Sequence, residues 1–107
     1  GLNMAKDLSN VQEMPYIEVV NQGTTWLQIL IPSGCNQISV GSETSKIYFG
    51  RNNATDGGAV NASYRAFVPA GNIMPVKIGI GNERTDSVFI AASAGTADIT
   101  IILEEAR

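Results

Sequence analysis

The 107-residue sequence contains no histidine and a single cysteine. A lone cysteine forms no intrachain disulfide, and without histidine there is no Cys/His set for structural or catalytic zinc, so any metal would have to be oxygen-bound. The same absence removes the imidazole base that usually activates Ser and Cys nucleophiles. Charge is scarce as well, at 16% of residues, below the level of a typical soluble domain. The net charge is −3 and the seven Lys and Arg are scattered singly, which excludes the clustered basic face of a phosphate-tracking nucleic-acid binder. No apolar run reaches the length of a membrane-spanning helix, and no charged stretch leads into a short apolar one near the start. Neither nucleic acid nor membrane is an expected partner, and no cofactor is expected. Met4, preceded by Gly1, Leu2 and Asn3, is the expected native start.

What is present favours strands. Twelve Ile and eight Val stand against five Leu, and β-branched side chains lose rotamer freedom in a helix but pack well on a pleated sheet. Eleven Gly and nine Asn supply turns. A chain of this length buries roughly two-thirds of its unfolded surface, enough for one core in one domain. Leu8, Val11 and Met14 stand three apart, which fits one or two helical turns or an extended arm, and Pro15 ends any helix. Residues 1–15 are read as an N-terminal arm or short helix and 16–107 as a β-sandwich domain.

From Tyr16 the period is two. Tyr16 to Asn21 alternates around Ile17 and Val19, and the next run places Leu27, Ile29 and Ile31 on one face. Ile38 with Val40, then Ile47 with Phe49, repeat the pattern. Gly50 to Ala59 is polar, lacks apolar periodicity and is the expected mobile tip. Alternation resumes from Ala62 to Val68, then at Val76, Ile78 and Ile80, at Val88, Ile90 and Ala92, and at Ile99, Ile101 and Leu103. About eight strands separated by turns, without helices long enough for parallel crossovers, define an all-β chain: a single antiparallel β-sandwich or jelly roll with an N-terminal arm.

An internal echo accompanies this pattern. Ile31-Pro32-Ser33-Gly34 returns in kind, 37 residues later, as Val68-Pro69-Ala70-Gly71. Each quartet leads to an alternating strand, a polar turn and a strand bearing Phe49 or Phe89. Two like units suggest two facing sheets built alike, although Pro-x-Gly ends strands in many β proteins.

No catalytic constellation assembles. Glu104 and Glu105 are adjacent, so on a strand they point to opposite faces and cannot share a substrate as paired carboxylates do. Gly79, Gly81 and Asn82 resemble a phosphate loop only superficially, because no helix follows to receive the anion. Cys35 has no adjacent cation to lower its pKa and reads as a plain buried thiol. Asn53-Ala-Thr and Asn61-Ala-Ser match the glycosylation triplet but read as turn and strand-edge residues. Trp26, Tyr48 and Tyr64 are candidate exposed aromatic contacts that could stack on sugars or bases; packing at sheet ends is the alternative.

The arrangement of Leu27 to Gly34, Asn36 to Val40, Gly50 to Gly58, Tyr64 to Gly71 and Ser87 to Ser93, followed by the Ile-rich stretch Asp98 to Glu105, resembles small phage virion structural proteins. The resemblance covers about residues 16–105 and rests on residue types. It implies a β-sandwich or jelly-roll subunit on the capsid surface, of the decoration, cement or head-fibre-base type, partnered by the major capsid protein and by copies of itself, commonly as a trimer. It also implies a capsid-anchoring arm, for which Leu8, Val11 and Met14 are the candidates, and it brings no active site. The alternative is a carbohydrate-binding or adhesive β-sandwich module using Trp26, Tyr48 or Tyr64.

Overall fold

Alternation of β-branched and polar residues yields nine strands among the described residues: β1 (Lys6–Asp7), β2 (Tyr16–Gln22), β3 (Leu27–Leu30), β4 (Gln37–Ser42), β5 (Ile47–Gly50), β6 (Arg65–Val68), β7 (Asn72–Lys77), β8 (Ser87–Ala92) and β9 (Ala97–Glu104). The computed structural model describes residues 5–51, 54–79 and 84–105. Met4, Asn53, Ile80, Gly81 and Asn82, singled out above, lie outside the described residues.

The strands pair as one long antiparallel hairpin that has been rolled up. β2 pairs with β9, β3 with β8, β4 with β7 and β5 with β6. Rolling lays β4 beside β9 and β5 beside β8. Two sheets result, ordered β2-β9-β4-β7 and β1-β3-β8-β5-β6, and the order of β2 to β9 is that of a jelly roll. β1 is an addition, paired parallel to β3.

The inner faces are the apolar positions of the period-two pattern. Ile38, Val40, Ile99, Ile101 and Leu103 of one sheet meet Ile29, Ile47, Val88 and Ile90 of the other, all at most 1% exposed. Burying each such side chain is worth roughly 1.5–3 kcal/mol, the main force holding the sheets together. Cys35 sits in the same core as a free thiol, and burial pushes its pKa up.

Four expectations need correction. Ile17 and Val19 point outward, at 63% and 58% exposure, because the register sets Ile17 opposite Ile102 and Val19 opposite Thr100 on the outer face of β9. Tyr16, Glu18 and Val20 take the inner side of β2. The internal echo is real in another form: each unit gives one strand to each sheet, and like pairs with like, β4 with β7 and β5 with β8. Both turns close with a hydrogen bond to the proline carbonyl, from the amides of Cys35 (3.1 Å) and Asn72 (3.2 Å). Only Gly71, at φ 80°, adopts the left-handed conformation that glycine tolerates best.

Residues 5–15, before β2, form neither a helix nor a free arm. Leu8 is 4% exposed within the core, and Val11 and Met14 pack against it. The Leu8 amide donates to the Leu30 carbonyl at 2.9 Å. Residues 54–59 of the expected mobile tip are held in place, as described below.

Lys6 fastens this segment to the other sheet by an ion pair with Glu18, 2.6 Å apart, and the Tyr16 hydroxyl donates to the same carboxylate at 2.6 Å. Burial alone would raise the Glu18 pKa, but Lys6 and Tyr16 outweigh it and hold the carboxyl below its ordinary value. The same contact raises Lys6. Glu18 therefore contributes stability that is complete above the ordinary carboxylate range and is lost as pH falls through its lowered pKa. Lys6 contributes below its ordinary value and loses that contribution as pH rises through its raised one. Glu18→Gln is expected to reduce stability at neutral pH, with the wild-type and variant denaturation midpoints converging in acid. A gap that stays constant with pH would contradict the assignment.

Candidate contact surfaces

The outer faces of the two sheets are treated differently by the chain. On β3-β8-β5-β6 the register aligns Ala91, Tyr48 and Phe67 in one row and Gln28, Phe89, Gly50 and Arg65 in the next, and Trp26, one residue before β3, packs with Ala91 and Phe89. Trp26 lies over Gly50, where a Cβ would come within 2.7 Å of the indole, and meets Phe89 edge-on with ring centroids 6.3 Å apart. Glycine and alanine at 50 and 91 make room for the ring.

The β5–β6 connection then covers the indole. The Trp26 amide donates to the Gly58 carbonyl at 2.9 Å and the Gly57 amide to the Trp26 carbonyl at 2.7 Å, while Asp56 accepts from the Gln28 amide at 2.9 Å. Ala54 and Val60 pack against the resulting small second core. Trp26 is thus 2% exposed, and the expectation that it is an exposed contact is corrected. Sequence reading missed this because the Gly50 and Ala91 that receive the ring are far away in the chain.

Tyr48 and Tyr64 fare differently. Tyr48 is half-buried, with the Arg65 guanidinium 3.8 Å from its ring centroid and the Lys46 ammonium at 5.5 Å. Cations therefore occupy the ring that a sugar would stack on. Tyr64 is 52% exposed, and Phe67, which sequence reading did not single out, is 60% exposed. The three predicted aromatics do not converge on one platform.

The outer face of β2-β9-β4-β7 has no such cover among the described residues. One row across it is Ile17, Ile102, Ser39 and Pro75, and the next is Val19, Thr100, Gly41 and Ile73. Ile73 is 48% exposed and Ile102 is half-buried. Gly41 and Thr100 form the floor of an open depression that runs from Val19 to Ile73. Asp98 and Glu43 rim it at one end, and Glu104, Gln37 and Lys77 form the row at the other. The face is apolar, open and mildly acidic.

The remaining candidates hold little chemistry. Among the described residues no three His, Cys, Asp or Glu gather to hold a metal ion. Glu104 accepts from Ser39 at 3.4 Å, whereas Glu105 lies at the end of the roll beside Gly34 and Val11. Asn61 caps a short 3-10 turn by accepting from the Ser63 amide at 2.8 Å. No protein-family model, curated protein or solved structure matches the chain.

Proposed function

We propose that this is a non-enzymatic structural protein of the phage virion type, a jelly-roll subunit that sits on a capsid surface and works by contact. The observation that carries the reading is the outer face of β2-β9-β4-β7, on which Ile17, Val19 and Ile73 are roughly half or more exposed, while on the opposite outer face the chain's own loop covers Trp26 and leaves Phe67 exposed. Exposed apolar side chains gathered on a sheet face are the mark of a docking surface. The acidic rim and the net charge of −3 disfavour a nucleic-acid phosphate or an anionic lipid surface. An open apolar face without stacking aromatics suits a protein surface better than a sugar. The fold supports virion and lectin roles alike, so the reading rests on the face. The packing of Leu8, Val11 and Met14 into the roll moves the proposed capsid contact from the N-terminal segment to this sheet.

Co-sedimentation with capsids of the phage carrying the gene tests the reading. Binding should saturate at a fixed number of chains per capsid. Failure to pellet with capsids that lack the protein would contradict it.

A further inference from the structure

The two sheets present four edge strands, β1 and β6 in one and β2 and β7 in the other. Open edges are templates for pairing with another chain, and proteins blunt them with short strands, proline or outward charge. Three of these edges are blunted. β1 has two residues, β6 has four and carries Arg65, and β7 carries Pro75 and ends at Lys77. β2 runs for seven residues, Tyr-Ile-Glu-Val-Val-Asn-Gln, without proline, lysine, arginine or glycine. Its one charge, Glu18, is turned inward and already neutralised by Lys6. Among the described residues, the backbone of β2 makes no hydrogen bond to any segment other than β9.

We infer that β2 is a self-pairing edge, at which a second copy of this chain adds antiparallel through its own β2 to form a continuous eight-stranded sheet across a two-fold axis. The occupant follows from the edges themselves. Head-to-tail strand addition would need a second open edge of a different kind, and the other three are blunted, so the partner left for β2 is another β2. The sequence suits this pairing. Centred on Val19, the register sets Val19 against its copy, Ile17 against Asn21, Glu18 against Val20 and Tyr16 against Gln22, with no like charges opposed. Residues 17, 19 and 21 stay on the outer face in both copies, so the exposed Ile17 and Val19 side chains come within cross-strand reach of the partner strand. The contact is two-fold, in place of the trimer that the virion resemblance implies. It goes beyond the proposed capsid docking and requires no capsid, so either can fail without the other.

Sedimentation velocity on the purified chain tests it. The wild type should sediment at twice the 11.3 kDa chain mass. Val19→Lys and Val19→Glu should each sediment as single chains with wild-type circular dichroism, and an equal mixture of the two should regain the doubled mass. Ile73→Lys, on the far strand of the same face, should stay doubled. A wild type that remains a single chain at about 0.1 mM, where a micromolar Kd would be saturated, would overturn the inference. So would a doubled Val19→Lys, a mixture that does not reassociate, or loss of the doubled species in Ile73→Lys, which would indicate face-to-face stacking. Hydrogen exchange on the wild type gives a reading without variants. Amides of β2 should slow as protein concentration rises while those of β7 do not, and concentration-independent exchange in β2 would also overturn it.

Discussion

Replacing Trp26 with alanine is expected to cost about 3–5 kcal/mol, the range for removing a large buried aromatic. The indole is the centre of the second core: it fills the space over Gly50, meets Phe89 and Ala91, and supports Ala54 and Val60 of the connection above it. Its removal leaves a cavity and also strips the apolar underside from the 54–60 stretch. The backbone bonds to Gly57 and Gly58 remain possible in the variant, but their geometry depends on a loop that no longer rests on anything. Domains of this size have roughly 5–15 kcal/mol in total, so a large share of the stability is at stake. Urea denaturation followed by circular dichroism measures the loss, since the variant has no tryptophan to report on. Trypsin should also cut at Arg51 faster in the variant than in the wild type. A loss below about 1 kcal/mol, outside the range for such a truncation, would mean that the covered outer face contributes little to the fold.

Gly41→Ala is the second large effect. Gly41 has no left-handed backbone, so its requirement is for space. A Cβ built there would lie 2.1 Å from the Asn72 carbonyl oxygen and 2.9 Å from the Ile73 Cα. Both obstacles are backbone of β7, so no rotamer change relieves them and the strand itself must move. Overpacking of this kind costs about 1–3 kcal/mol and occasionally more. The expected result is a lower melting temperature with faster hydrogen exchange concentrated in β7. Gly23→Ala is the control, because its nearest neighbour would be 3.7 Å away. Equal behaviour of the two variants would contradict the close approach of β4 and β7.

The period-two pattern was enough to read most of the fold. Ile99, Ile101 and Leu103 alternate with Asp98, Thr100, Ile102 and Glu104, three of them polar, so hydropathy says which side faces inward. β2 was misread because it is apolar on both sides. Ile17 and Val19 look like core positions, and the true inner side includes a carboxylate made tolerable by Lys6, a partner that local periodicity cannot supply. Trp26 was misread for a related reason. A lone aromatic beside a glycine break carries no sign of burial until pairing brings Gly50 and Ala91 beneath it. Leu8, Val11 and Met14 form one apolar set, but their spacing does not distinguish a docking arm from a segment folded onto its own core. The candidate face was legible only after registration, because it combines residues from β2, β9, β4 and β7, none of which is unusual alone.

The account rests on the outer face of β2-β9-β4-β7 being the working surface, and capsid binding by two point variants tests this most directly. Ile73→Lys places a charge on that face, while Tyr64→Ala removes an exposed aromatic from the 3-10 turn that leads into β6 of the other sheet. Both positions are solvent-exposed, so both variants should fold. Measured by co-sedimentation, Ile73→Lys is expected to weaken capsid binding at least tenfold, a change of about 1.4 kcal/mol, and Tyr64→Ala to bind as the wild type does. Undiminished binding by Ile73→Lys together with loss of binding by Tyr64→Ala would place the working surface on the aromatic side and contradict the account.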